Sequence, residues 1–316
     1  MLHSILVTGS TGFVGKRLVP ALQKAFPAAQ IHAAGSASSQ TALALDLAST
    51  ESVNRIISDT KPDAIIHLAA ISHIPTAFKN PEQTWHVNLL GTLKLLNAVT
   101  SRSTPCTFLQ IGSGDCYGDS FKQGIPVTED TPFKPLNPYA ASKAAADIGV
   151  FSYCNTPNLK LIRARPFNHT GPGQSNQFVI SAFAEQIAKI EAGLQPPVIS
   201  VGDLSALRCF LHVDDIIDAY IRLLKNRESI SSGSAFNIAS DTPVSIKSIL
   251  NTLLSLSQTE ISVETDPERL RPTDIPVAQA DSSLLKHATG WSQKTELHDT
   301  LEEVLDFWRN HYKQDN

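Results

Sequence analysis

Tyr139 and Lys143 stand four residues apart in Tyr139-Ala140-Ala141-Ser142-Lys143, and of the 5 tyrosines only this one has a lysine at that spacing. Asn137-Pro138 reads as a helix cap and first helical residue, so the two side chains should share one helix face. A neighbouring ammonium favours phenolate and should draw the tyrosine down from a reference pKa of about 10. Ser113 offers a third group. It follows the apolar run 107–112 and opens Ser113-Gly114-Asp115-Cys116-Tyr117-Gly118, which puts its hydroxyl at the C-terminal end of a strand, where doubly wound sheets hold ligands. It can polarise a carbonyl oxygen while Tyr139 exchanges the proton.

The hydride for such a step would come from a dinucleotide. Thr8-Gly9-Ser10-Thr11-Gly12-Phe13-Val14-Gly15 follows an apolar strand and opens a helix. Gly9 allows the tight turn, Gly12 lets backbone N–H groups approach a pyrophosphate, and Gly15 lets helix pack on strand. An acid after the second strand would chelate the adenosine ribose and mark NAD, yet residues 30–45 contain no Asp or Glu. Ser36, Ser38 and Ser39, with Lys16 or Arg17, could instead donate to a 2′-phosphate, which favours NADP and leaves NAD as the alternative. No arginine follows the second strand to clamp that phosphate. Asp46-Leu47 is placed either to approach the adenine or to cap the next helix.

These groups need a parallel sheet to position them. Residues 4–8, 30–34, 43–46, 64–68, 107–112 and 159–164 are short, largely apolar runs, the pattern of strands covered on both faces. Val14, Leu18, Val19, Leu22 and Phe26 keep one helical face, as do Val87, Leu90, Leu93, Leu96 and Val99. The fold class expected is α/β, a Rossmann doubly wound parallel sheet with a smaller C-terminal α/β unit. Residues 1–165 would bind the dinucleotide, 206–238 would return to that unit, and 166–316 would bind substrate. Pro166, Gly171-Pro172-Gly173 and Pro196-Pro197 mark the change of texture, with shorter helices at 178–192 and 246–256.

The 316 residues hold 26 bases against 30 acids, a net charge of −4 that offers no footprint for nucleic acid or an anionic membrane. Anionic ligands must therefore be held locally. Cys106, Cys116, Cys154 and Cys209 lack metal-finger or disulfide-framework spacing, and no apolar run reaches the roughly 18 residues of a membrane span, so a cytoplasmic protein is expected. His169 and His212 lack the spacing of a ligand cluster, and no metal is expected. Asp214-Asp215 begins a helix and reads as capping.

The glycine loop, His67-Leu68-Ala69-Ala70, Asn88 in Val87-Asn88-Leu89-Leu90-Gly91-Thr92, and Ser113, Tyr139 and Lys143 together resemble the extended short-chain dehydrogenase/reductase superfamily over nearly the whole chain. The resemblance implies a nucleotide-sugar substrate and a homodimer joined through a helix bundle. It also implies Leu68, Ala69, Ala70 and Pro166 against the cofactor, Lys143 on the nicotinamide ribose and Asn88 behind the lysine. The string Arg163-Ala164-Arg165-Pro166-Phe167-Asn168-His169-Thr170-Gly171-Pro172-Gly173-Gln174 is similar to that of GDP-4-dehydro-6-deoxy-D-mannose reductases. Asn168 could donate to a diphosphate, and Arg208 and Arg271 could fork onto it, although either arginine could equally be a surface ion-pair partner. Lys189 is a further candidate for the nucleotide, with a solvated helix face as its other reading.

The sister 4,6-dehydratases carry an acid pair after the hydroxyl residue. Here Gly114 replaces the first acid and Asp115 stands at the second, where glutamate is usual. That departure weakens a dehydratase and favours a reductase; with the nucleotide and the C4 stereochemistry implied by the resemblance alone, the expected reaction is NAD(P)H-dependent reduction of the C4 ketone of GDP-4-dehydro-6-deoxy-D-mannose to GDP-D-rhamnose. A GDP-mannose 4,6-dehydratase, an epimerase, and a dinucleotide-binding protein without chemistry remain the alternatives, and Asp115 could orient substrate or support a second activity.

Overall fold

The computed structural model describes residues 1–36, 42–269 and 275–313. Alternation along each strand decides the layers. In β1 (Ser4–Thr8), Ile5 and Val7 face one layer and Leu6 the other. The same split separates Ile66 from Ile65 in β4 (Ala64–His67), Leu109 from Phe108 in β5 (Cys106–Ile111) and Ile162 from Leu161 in β6 (Leu159–Pro166). Both faces are buried, so every side chain in β4 and β5 is enclosed.

Together with β2 (Gln30–Gly35) and β3 (Leu43–Ala44), these strands form a parallel sheet. A seventh strand, Ser234–Ile238, pairs beside β6, where the sequence pattern indicated six. The order Ser234–Ile238, β6, β5, β4, β1, β2, β3 reverses direction between β1 and β4. At such a switch point, open α/β sheets hold their ligands in a crevice outside the strands' C-terminal ends.

One face is covered by α1 (Phe13–Ala25) and the Val213–Lys225 helix, through Leu18, Leu22, Ile216, Tyr220 and Leu224. The other is covered by α2 (Thr50–Thr60), the Thr92–Thr100 helix and the Pro138–Phe151 helix, through Val53, Ile57, Leu96, Val99 and Val150. Truncating one of these enclosed leucines to alanine costs about 2–5 kcal/mol. Helix Pro81–Trp85 runs through a π-helical stretch, His86–Gly91, into Thr92–Thr100. The wider turn shifts the apolar register, so Leu90 faces outward, 42% exposed, instead of sharing the buried face of Leu96 and Val99.

The third core lies among the helices Val179–Glu191, Ile246–Ser255 and Leu297–Lys313, with Phe183, Ile187, Ile249, Leu253, Leu301 and Leu305 at its centre. Strand Val198–Val201 flanks it and pairs with Ser262–Thr265. A fourth cluster joins Tyr117, Phe121 and Phe167 to Cys209 and Ala278. No described helix is long and apolar enough to cross a membrane.

Candidate active site

The turn after β1 is built from backbone contacts too close for a side chain. Gly9 has φ +70°, and a Cβ there would lie 2.7 Å from the Ala69 nitrogen. A Cβ on Gly15 would lie 2.4 Å from the Gly9 carbonyl oxygen. Helix α1 therefore begins directly against the turn, with Gly12 as its N-cap, no side-chain cap and no acid in its first turn. Those features fit a dinucleotide pyrophosphate, because the N–H groups and the positive end of the helix dipole face the crevice. Thr11 packs on Gly35 at the end of β2, bringing it to the edge where the adenosine half would lie. Ser36 follows there and is exposed; Ser38 and Ser39 lie outside the described residues.

Other assignments to the cofactor change character. Arg17 donates to both carboxylate oxygens of Asp214, at 3.0 and 3.2 Å, so it is an ion-pair partner across two helices and not a clamp for a 2′-phosphate. Asp46 Oδ1 accepts the Ala48 N–H at 2.8 Å, so its carboxylate caps the turn before α2. Leu47 is buried against Gly91. Helix Val213–Lys225 is capped by the His212 ring, which accepts from Asp214 N–H, while the buried Asp215 carboxylate accepts from the N–H groups of Lys294 and Thr295. The Asp pair thus makes tertiary contacts and not the cap.

Parallel register carries the remaining groups to the same edge: Thr8 lies opposite His67, His67 opposite Gln110, and Ile111 opposite Ala164. The segment after β4 is held by Thr8, whose hydroxyl accepts from the Ala69 N–H at 3.3 Å. His67 is enclosed between the hydroxyls of Thr8 and Thr92, at 2.7 and 2.9 Å. Burial, with Lys143 nearby, pushes its pKa down to about 3, so the ring is a neutral connector. Asn88 donates to Ser142 Oγ, and Ser142 donates to the Tyr139 carbonyl oxygen. The long π-containing helix therefore braces the helix that carries Tyr139 and Lys143.

Helix Pro138–Phe151 starts where the sequence places it: Asn137 caps it by accepting from the Ala140 N–H at 2.8 Å, and Pro138 occupies the first turn. Ser113 lies just past β5, its hydroxyl accepting from the Asp115 N–H at 3.2 Å and acting on the Tyr139 phenol to favour its ionised form. Contrary to the expectation of a depressed tyrosine, burial and the nearby Asp115 raise the Tyr139 pKa above its ordinary value. The Lys143 ammonium instead donates to the Ile111 carbonyl, and burial lowers its pKa to about 8. Tyr139 thus holds its proton at neutral pH, the state required of an acid.

A Cβ on Gly114 would lie 2.7 Å from the Phe167 ring, so no carboxylate fits at the first acid position. Asp115 follows with its pKa raised by burial and opposed by the Arg208 charge. Arg208 donates to the Leu207 carbonyl at 2.8 Å and is itself half-buried. Pro166 ends β6 and is buried, and Asn168 is exposed on the strand Asn168–Thr170. His169, beside it, stacks on Phe13 of the cofactor turn with ring centres 6.3 Å apart. Lys189 is drawn away: it pairs with Glu185 at 3.0 Å and lies over the Tyr312 ring, a contact with the C-terminal helix. Arg271 lies outside the described residues.

Sequence reasoning gave no role to Asp147, which is buried one turn beyond Lys143 and bound by Arg163 and Arg165. Its i+4 spacing from Lys143 was the available signal.

A family model described as GDP-mannose 4,6 dehydratase matches residues 6–304. The chain is 35% identical to GDP-6-deoxy-D-mannose reductase of Pseudomonas aeruginosa, with all of both chains covered. It is 27% identical to a GDP-mannose 4,6-dehydratase of Vibrio cholerae, covering 82% of this chain and 76% of that one. Among solved structures, the P. aeruginosa enzyme RMD complexed with NADPH superposes with a TM-score of 0.84 at 35% identity, covering 98% of this chain and 99% of the other. A putative epimerase from Burkholderia cenocepacia gives 0.85 at 28% identity, covering 98% of each.

Proposed function

The chain belongs to the GDP-mannose 4,6-dehydratase family, and from that premise we propose that it reduces the C4 ketone of GDP-4-dehydro-6-deoxy-D-mannose to GDP-D-rhamnose with NADPH. The observation carrying this reading is Gly114. Phe167 fills the space that the first dehydratase acid would need, while Ser113, Tyr139 and Lys143 converge at the sheet edge. The full-length likeness to a reductase agrees with it.

Bound NADPH supplies the hydride; the glycine turn, Thr11, Leu68 to Ala70 and Pro166 would hold it. Ser113 polarises the C4 oxygen by donating a hydrogen bond, and Tyr139 gives it a proton as negative charge develops. Lys143 then stabilises the phenolate left behind. In this reading Asn168 and Arg208 would donate to the nucleotide diphosphate. Residues 1–165 with 206–238 form the cofactor unit in this reading, and the rest forms the substrate unit.

A second reading, dehydration of GDP-mannose, is kept open by Asp115 beside Tyr139. One assay separates the two. Purified protein is incubated with NADPH and either the 4-keto sugar nucleotide or GDP-mannose, and products are read by NMR. Conversion of the ketone to GDP-D-rhamnose supports the reductase; conversion of GDP-mannose alone replaces it with the dehydratase.

The homodimer belongs to the same proposal. Leu90, Ile148 and Phe151 expose 42%, 61% and 47% of their surfaces on two packed helices, Leu89 and Leu93 meeting Gly149 between them. Such an apolar helix pair suits a bundle with a second copy. Four free cysteines, three of them buried, suit the reducing cytoplasm.

A further inference from the structure

Asp147 sits one helical turn beyond Lys143, which itself sits one turn beyond Tyr139. Its carboxylate is buried and fully occupied. Arg163 Nη1 donates to Oδ1 at 2.5 Å, while Arg165 Nη2 and Nε donate to Oδ1 and Oδ2, each at 3.0 Å. The two arginines come from the same face of β6, two residues apart. Arg163 is further held by the Gly233 carbonyl and lies over the Phe151 ring. Arg165 lies over Phe133, donates to the Tyr117 hydroxyl at 2.8 Å and to the Glu129 carbonyl at 2.8 Å. Tyr117 belongs to the turn that Ser113 opens. One buried cluster therefore ties the Tyr139–Lys143 helix, β6 and the Ser113 turn together.

We infer that Asp147 is a positioning residue whose carboxylate supplies the standing negative charge behind the Lys143 ammonium, and that Arg163 and Arg165 set how much of that charge Lys143 feels. The inference rests on Lys143 serving the reduction proposed above.

The surroundings of Lys143 make this specific. Cys116 faces it from the Ser113 turn, and burial holds that thiol protonated. His67 faces it from β4 and is neutral. Tyr139 is a protonated phenol, and Asp115 acts on that phenol. Asp147 is the carboxylate whose charge bears on the lysine. Desolvation alone would strip the proton from a buried ammonium, and a carboxylate one turn away opposes that loss. Two guanidiniums, from Arg163 and Arg165, donate to both oxygens of the buried carboxylate.

The test removes charge of each sign. In the NADPH-bound protein, the Lys143 titration is followed by NMR of 13C-labelled lysine, its signal assigned by loss in Lys143→Met. Asp147→Asn should lower the Lys143 midpoint by about one pH unit, and Arg163→Gln should raise it. The alkaline limb of kcat with the 4-keto sugar nucleotide should move in the same two directions, and Asp147→Glu should restore the wild-type position. Folded variants that leave the midpoint unmoved, or move it the same way, overturn the inference. Should Asp147→Asn fail to fold, Arg163→Gln decides: an upward shift supports the inference, and no shift or a downward one overturns it. If the variants show the NMR shifts while the wild-type protein does not turn over the 4-keto sugar nucleotide, the proposed substrate is refuted and the role of Asp147 stands.

Discussion

Tyr139 and Lys143 occupy successive turns of one helix, yet the Lys143 ammonium bonds the Ile111 carbonyl and the phenol is influenced chiefly by burial and Asp115. The lysine therefore stands behind the tyrosine without deprotonating it. An acid that keeps its proton until a carbonyl oxygen gains negative charge suits reduction.

Tyr139→Phe should lower kcat by about 10²–10⁴-fold through loss of the proton donor. NADPH affinity, measured by quenching of protein fluorescence, should stay within about threefold, since the ring remains. Unchanged turnover would remove Tyr139 from the chemistry.

Activity should decline as pH rises through about 8, where the Lys143 ammonium loses its proton. Stability should respond with the opposite sign. The folded pKa lies below the ordinary value of 10.5, so between about 8 and 10.5 the unfolded chain binds more protons, and this lysine's contribution to stability rises with pH. Turnover and urea unfolding measured over that window check both signs; a flat rate profile contradicts the role of the ammonium.

Gly15→Ala should weaken NADPH binding and cost about 1–3 kcal/mol of stability, because the new methyl meets the Gly9 carbonyl and the helix must back away. Thermal unfolding with and without NADPH reads both effects. A variant with unaltered melting and cofactor affinity would show that the turn is looser than its geometry.

Asp115→Asn should retain reduction of the 4-keto sugar nucleotide to within about tenfold, the amide keeping the side chain's size. Any conversion of GDP-mannose should disappear. Product NMR distinguishes the two, and a loss of reduction beyond a hundredfold would place the Asp115 carboxylate in the reductive step.

Ile148→Asp should convert the proposed homodimer to a monomer, since it puts a charge on an apolar surface 61% exposed in the single chain. Sedimentation velocity checks this: a dimer that survives the substitution places the interface elsewhere.

Local patterns carried much of the fold and part of the site. Strand β1 emerges with the bounds its apolar run implies, and Asn137-Pro138 starts its helix because cap and ring act within one turn. The glycine turn was legible because Gly12 and Gly15 answer to close contacts with Gly9 and Ser10, their neighbours in sequence, while the approach of Ala69 to Gly9 comes from the fold. Leu90 shows where periodicity gives way: a π-helical stretch rotates the face, and no 3.6-residue count contains that shift.

Whatever depends on distant partners was decided by the tertiary structure. Arg17 meets Asp214, nearly two hundred positions away, and Lys189 meets Tyr312, so two bases that a sequence offers to phosphates are used between helices. Gly114 reads as a missing acid in the sequence, but only the Phe167 ring against it shows that an acid has no room. The sequence by itself determined a dinucleotide turn, a tyrosine and lysine on one face and a hydroxyl at a strand end, each a relation between near neighbours. The fold decided which charges those groups feel, because burial and the approach of Asp115 and His67 come from separate turns and strands, and the two arginines that hold Asp147 come from β6.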